Sequence, residues 1–128
     1  FNELVKESDF ISLHCPLTDC TEKLFNQPVF AAMKNSAFLI NTARGALIED
    51  EDLISAIKNK EIAGAAIDVF DEEPPPSNHP LIRESFHNLI ITPHIAWAAV
   101  EARQRALECI AKNIDAFLKD KPKNIVNA

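Results

Sequence analysis

The sequence contains very little glycine, with only Gly45 and Gly64 among its 128 residues. A dinucleotide-binding turn of the form G-x-G-x-x-G requires three closely spaced glycines, and a P-loop also requires a glycine-rich turn. Neither motif can be written with the two glycines present. Phosphate binding through such a turn is therefore excluded for this stretch of sequence.

Long hydrophobic runs and basic runs are also missing. The apolar stretches are far shorter than the ~20 residues needed to span a bilayer, and no signal-peptide pattern is visible. Lys and Arg together number 13 against 19 Asp and Glu, which gives a net charge of −6. Because no basic cluster interrupts this acidity, nucleic acids and anionic membranes are poor candidate partners. We expect a soluble protein that binds neither.

The cysteines and histidines show no metal-ligand or disulfide pattern. The three cysteines are odd in number and lack the spacing of a zinc site, and the four histidines are scattered along the chain. We therefore predict no metal site. Cysteines without a disulfide framework indicate a reducing environment, so a cytoplasmic location is expected.

What is present is the composition of a globular domain, with 47% hydrophobic and 25% charged residues. Short apolar runs predict strands, and they alternate with amphipathic segments that predict helices. The predicted strands cover residues 10–13, 37–41, 63–70 and 89–91, and the predicted helices cover 28–33, 49–60 and 98–119. This alternation indicates βαβ units, hence an α/β fold with a parallel sheet and helices on both faces.

Polar and ionisable residues follow each predicted strand, where parallel sheets bind their ligands. Among them are Arg44, Glu73 and His94. Arginine holds a carboxylate through two parallel hydrogen bonds. Histidine exchanges a proton near neutral pH, and a neighbouring carboxylate favours its protonated form. The three residue types together can move a proton onto a carbonyl oxygen while a hydride arrives at the carbon.

Four segments give the sequence a family resemblance. They are HCPLT, LINTARGALIEDEDL, GAAIDVFDEEPP and TPHIAWA, at residues 14–18, 39–53, 64–75 and 92–98. In order and spacing the chain resembles the D-isomer-specific 2-hydroxyacid dehydrogenases almost from end to end. The resemblance implies a Rossmann-like fold and assigns three catalytic residues. Arg44 would anchor the substrate carboxylate, His94 would be the general acid and base, and Glu73 would pair with His94.

The resemblance also implies NAD as the cofactor, although the sequence does not exclude NADP. Asp68 would hydrogen-bond the nicotinamide carboxamide, and Thr42 and Ala43 would line the nicotinamide pocket. Cys15 and Pro16 would flank the adenosine side, and the catalytic Arg44 and His94 would also contact the cofactor. An acid that follows four apolar residues, as Asp68 does, is costly to bury without a partner.

The resemblance covers only part of such an enzyme. It implies that residues 1–128 are one partial domain, the C-terminal half of an NAD-binding domain, including the final helix that returns to a missing substrate domain. It further implies a homodimer for the full-length protein and a small 2-keto or 2-hydroxy acid as substrate. The TPHIAWA segment, with Trp97 where many relatives have small residues, resembles the glycerate dehydrogenase and hydroxypyruvate reductase members. Trp97 could equally be a packing residue at the domain junction, and erythronate, phosphoglycerate and lactate relatives share the core motifs.

Two other functions stay open at this point. Transcriptional corepressors with the same fold keep the catalytic residues and use the dinucleotide to control assembly, so the chain could belong to a binding module without turnover. A flavodoxin-like signalling domain would place Asp68 as a strand-end acid, but the sequence offers no residues for phosphate or flavin chemistry.

Overall fold

The computed structural model describes residues 1–126. The chain divides into two compact units, Phe1–His94 and Ile95–Ala128. Of the predicted single domain of residues 1–128, Asn127 and Ala128 lie outside the described residues. The strands of the first unit are β1 (Phe10–Leu13), β2 (Phe38–Asn41), β3 (Gly64–Ile67) and β4 (Leu89–Ile91). Its helices are α1 (Asn2–Glu7), α2 (Gln27–Ala32), α3 (Asp50–Lys58) and α4 (Pro80–Arg83), and a 3₁₀ turn covers Gly45–Leu47.

The four strands form one parallel sheet in the order β1-β2-β3-β4. Apolar side chains from one face of this sheet, such as Ile11, Leu39 and Ile67, share a single core with buried side chains of all four helices. Right-handed crossovers between strands that follow one another in chain order all fall on the same side of a sheet. The predicted parallel sheet with flanking helices is therefore confirmed.

The opposite face of the sheet is largely open. Phe10 is 68% exposed and Ile90 is 65% exposed, and the ring of Phe10 stacks on that of Phe38 with 5.4 Å between centroids. The prediction of helices on both faces is wrong for the first unit. A doubly wound sheet covers its second face only where the strand order reverses, and these four strands run in one direction without a reversal.

The second unit contains helix α5 (Val100–Leu118), which confirms the predicted C-terminal helix. The apolar side chains that recur at helical spacing along α5, including Leu107, Ile110 and Phe117, are exposed. Among residues 1–126, no helix is both long and apolar enough to cross a membrane.

Candidate active site

The ends of β3 and β4 bring Asp68, Thr92 and His94 together. The sheet ladder continues one residue past each strand, because Asp68 N–H donates to the Asn41 carbonyl and Thr92 N–H to the Ile67 carbonyl. Thr92 Oγ1 donates to Asp68 Oδ1 over 2.5 Å, and His94 N–H donates to the Asp68 carbonyl over 2.9 Å. Asp68 is only 3% exposed, so the Thr92 hydroxyl offsets part of the cost of burying its carboxylate.

Glu73 and His94 form a close pair on this edge of the sheet. His94 Nδ1 lies 2.6 Å from Glu73 Oε2, and Phe70 N–H donates to Glu73 Oε1 over 3.0 Å. An ionised carboxylate can only accept, so Nδ1 carries the proton and donates it to Glu73. The hydrogen bond from His94, then that from Phe70, lowers the pKa of Glu73, with a smaller contribution from the Arg44 charge. Glu73 therefore stays ionised and keeps the His94 ring oriented.

A cavity of about 500 Å³ opens beside this pair. Asp68, Glu73, Thr92 and His94 supply its polar groups, and the remainder of its wall is mostly apolar. The apolar lining residues are Phe70, Pro74, Pro75, Ile82, Ile91 and Pro93. A few polar groups converging in an apolar cavity are typical of a small-molecule site.

The turn after β2 carries Arg44 and is held by a buried asparagine. Asn41 is fully buried, and its Oδ1 accepts a hydrogen bond from Ala43 N–H over 3.0 Å. Its Nδ2 donates to the Arg44 carbonyl over 2.8 Å. The backbone on both sides of Ala43 is thereby fixed, while the Arg44 side chain lies at the surface and donates to the Ala43 carbonyl.

The predicted site residues fall into two neighbouring groups. Arg44 lines a second cleft of about 500 Å³ together with Cys15, Pro16, Thr42 and Ala43, which are the other residues predicted to contact the cofactor on this side. Asp68, Glu73 and His94 line the first cavity. The Arg44 charge acts on Glu73 and contributes to lowering the Glu73 pKa, so the two groups are electrostatically linked.

Gly45 is a site residue that the sequence reasoning did not identify. A Cβ atom on Gly45 would lie 2.1 Å from the Phe70 carbonyl carbon and 2.3 Å from Asp71 N. The turn that carries Arg44 therefore lies directly against the backbone that leads to Glu73, and only glycine allows this approach. The available signal was a glycine directly after the candidate arginine, in a chain that has only two.

Replacing Gly45 with alanine is expected to lower the free energy of unfolding by about 1–3 kcal/mol, because the added methyl group forces two backbone segments apart. Urea unfolding of the chain followed by circular dichroism measures the change. An unfolding midpoint equal to that of the original chain would show that the Arg44 turn and the Phe70 segment separate at no cost.

Asn41 and Thr92 were also missed as supporting residues. Both sit inside the segments that carry the family resemblance, but an isolated Asn or Thr at a strand end is an ordinary turn residue. Only the observed hydrogen bonds to the Arg44 turn and to Asp68 distinguish them.

The site residues fit one end of NAD and not the other. Asp68 offers a buried carboxylate as an acceptor for the carboxamide N–H of a nicotinamide. A pyrophosphate needs a glycine-rich turn that lets it approach the backbone. Gly45 is covered by Phe70 and Asp71, and a Cβ atom on Gly64 would lie 2.5 Å from the Asn88 carbonyl oxygen. Neighbouring backbone atoms thus fill the space beside both glycines, and neither glycine lies in a turn that could bind a phosphate.

The family comparison agrees with this geometry. Residues 1–96 match the family model described as D-isomer specific 2-hydroxyacid dehydrogenase, NAD binding domain. The chain belongs to this family. The resemblance inferred from the four motifs is confirmed, and the NAD-binding character of the fold is confirmed with it.

Two curated relatives and one solved structure illustrate the similarity. A glyoxylate reductase from Thermofilum pendens is 49% identical over 125 residues, which cover 97% of this chain and 36% of that protein. A glycerate dehydrogenase from Methylorubrum extorquens is 42% identical, covering 98% of this chain and 40% of that protein. The NAD-complexed D-isomer specific 2-hydroxyacid dehydrogenase from Lactobacillus delbrueckii ssp. bulgaricus is 31% identical with a TM-score of 0.84, covering 99% of this chain and 42% of that one. The chain thus spans less than half the length of these relatives.

Proposed function

We propose that the chain is the C-terminal half of the NAD-binding domain of an oxidoreductase that transfers a hydride between NAD(H) and a small 2-keto or 2-hydroxy acid. The observation that carries the proposal is the 2.6 Å contact between His94 Nδ1 and Glu73 Oε2, next to the buried Asp68. A histidine held in position by an ionised carboxylate is suited to general acid catalysis.

Each of the three ionisable residues has a defined part in this reaction. The bound nicotinamide cofactor supplies or accepts the hydride. Nδ1 of His94 binds Glu73, and we assign to Nε2 the role of giving a proton to the carbonyl oxygen or taking it from the alcohol. Glu73, whose pKa is lowered, stabilises the imidazolium by its negative charge. Arg44 binds the substrate carboxylate and fixes its orientation.

Replacing Arg44 with lysine in the full-length protein that contains the chain is expected to raise KM for the keto acid about tenfold or more, because one ammonium cannot reproduce the two parallel hydrogen bonds of a guanidinium. Steady-state kinetics with the keto acid varied at saturating NADH measures the effect. Arg83 is an exposed arginine at the end of α4, and Arg83→Lys is the control that should leave KM unchanged. An unchanged KM in Arg44→Lys would show that Arg44 has a structural role only.

For the substrate, we propose glycerate and hydroxypyruvate. This choice is supported by Trp97 in the TPHIAWA segment and by the 42% identity to a glycerate dehydrogenase. Because another relative is named a glyoxylate reductase, the test compares kcat/KM of the full-length protein for hydroxypyruvate and for glyoxylate. A higher value for glyoxylate would overturn the choice of substrate but not the reaction class. The homodimer and the cytoplasmic location stay predictions.

A further inference from the structure

A hydrogen bond outside the cavity anchors the far end of the loop that carries Glu73. His79 Nε2 lies 3.1 Å from Asp50 Oδ2, at the first turn of α3. The His79 side chain is only 13% exposed, and its Nδ1 is buried without a hydrogen-bond partner among residues 1–126. Burying a bare ring nitrogen costs less than burying an N–H group without an acceptor, so the proton is assigned to Nε2, which donates to Asp50.

The loop itself has few attachments of its own. Residues 71–78 are exposed apart from Pro75, which is partly buried. The two residues that flank this loop meet each other, because the Phe70 ring contacts the His79 ring edge to face with 5.0 Å between centroids. This ring contact holds the two ends of the loop together, and the hydrogen bond from His79 to Asp50 attaches them to α3.

A continuous series of contacts therefore joins α3 to His94. Asp50 accepts from His79, and the His79 ring packs on Phe70. Phe70 N–H donates to one oxygen of Glu73, and the other oxygen of Glu73 binds His94 Nδ1.

We propose that His79 is a positioning residue, which, by donating to Asp50 and packing on Phe70, holds Glu73 in hydrogen-bonding position against His94. The catalytic consequence rests on the function proposed above, whereas the structural claim does not. Burial raises the pKa of Asp50 to about 6, so Asp50 is ionised and able to accept at neutral pH and above.

The test measures the state of the His94 ring in the chain itself, by ¹⁵N NMR at pH 9, where an ordinary imidazole is neutral. The bond to Glu73 keeps the proton on Nδ1. His79→Phe keeps a ring against Phe70 but removes the donor to Asp50, and Asp50→Ala removes the acceptor. We expect both variants to lose most of the Nδ1–H form of His94. In the full-length protein the same variants should lower kcat about ten- to a hundredfold and leave KM for NADH unchanged.

Two control variants separate this effect from a loss of charge or of fold. Asp50→Asn removes the charge but keeps an amide oxygen as acceptor, so it should retain the Nδ1–H form. Glu51→Ala removes an exposed carboxylate from the same helical turn and should also retain it. The amide spectrum of each variant reports whether it folds. If His79→Phe does not fold, Asp50→Ala alone tests the hydrogen bond between His79 and Asp50. The proposal would be overturned if folded Asp50→Ala or His79→Phe kept the original fraction of His94 in the Nδ1–H form. It would also be overturned if Glu51→Ala lost as much of the Nδ1–H form as these two variants. These outcomes are read without any dehydrogenase activity, so they are distinguishable from a failure of the proposed function.

Discussion

Replacing His94 with alanine in the full-length protein is expected to lower kcat by about 10²–10⁴-fold while KM for NADH barely changes. A positioned general acid contributes a factor of this size, and His94 is the residue that Glu73 orients through a 2.6 Å contact. Without the imidazole, Glu73 cannot replace the proton donor, because its pKa is lowered and it is ionised. Stopped-flow absorbance of NADH with the keto acid measures the change.

The control for this variant is His87→Ala, which removes an exposed histidine of the same unit that lies away from the cavity residues. It should leave kcat within about twofold of the original protein, as surface substitutions away from such sites usually change little. A near-normal kcat in His94→Ala would refute the assignment of His94 as general acid. A comparable loss in His87→Ala would instead indicate a general effect on stability.

The four strands and the helices α2 and α3 of the first unit could be predicted because their apolar runs are short and regular. The apolar run AFLIN at residues 37–41 corresponds to β2, and the helical spacing of Leu53, Ile54 and Ile57 within residues 49–60 corresponds to α3. Parallel pairing followed from the helices between the strands. The placement of Glu73 and His94 at one edge of the sheet then follows from the rule that parallel strands end on the same side.

The open face of the sheet could not be predicted from local patterns. Phe10 and Phe38 are as hydrophobic as core residues, so an apolar run identifies a strand without showing which of its faces is covered. Only the strand order decides this, and the order β1-β2-β3-β4 places the crossovers on one side. Strand order is a long-range property that the sequence of one strand does not encode.

The supporting contacts of the site were missed for a related reason. Gly45 and His79 act on residues far from them in the chain, since Gly45 lies against Phe70 and His79 binds Asp50. His79 lies between an asparagine and a proline in a proline-rich stretch, where a loop position is the ordinary interpretation. Its burial and its partner come entirely from tertiary packing.

The 128-residue chain by itself is expected to fold, to show no measurable dehydrogenase activity, and to bind NADH with a Kd of about 1 mM or weaker. A chain of this length buries roughly two thirds of its unfolded surface, and β1–β4 and α1–α4 all contribute side chains to one hydrophobic core. Cofactor affinity is a separate matter. Gly45 and Gly64 are both enclosed by neighbouring backbone, so the pyrophosphate meets no glycine-rich turn at a helix N-terminus.

Activity should be absent for a further reason, which is the exposure of the catalytic pair. The side chains of His94 and Glu73 are 44% and 36% exposed, and a site open to water neither strengthens the electrostatic interactions within it nor holds the keto acid in place. Isothermal titration with NADH and a hydroxypyruvate-dependent absorbance assay test the two parts of the prediction, with the full-length protein as the positive control. Micromolar binding of NADH would show that the nicotinamide end supplies most of the affinity. Turnover by the chain alone would show that Arg44, Glu73 and His94 can orient the substrate without a substrate domain.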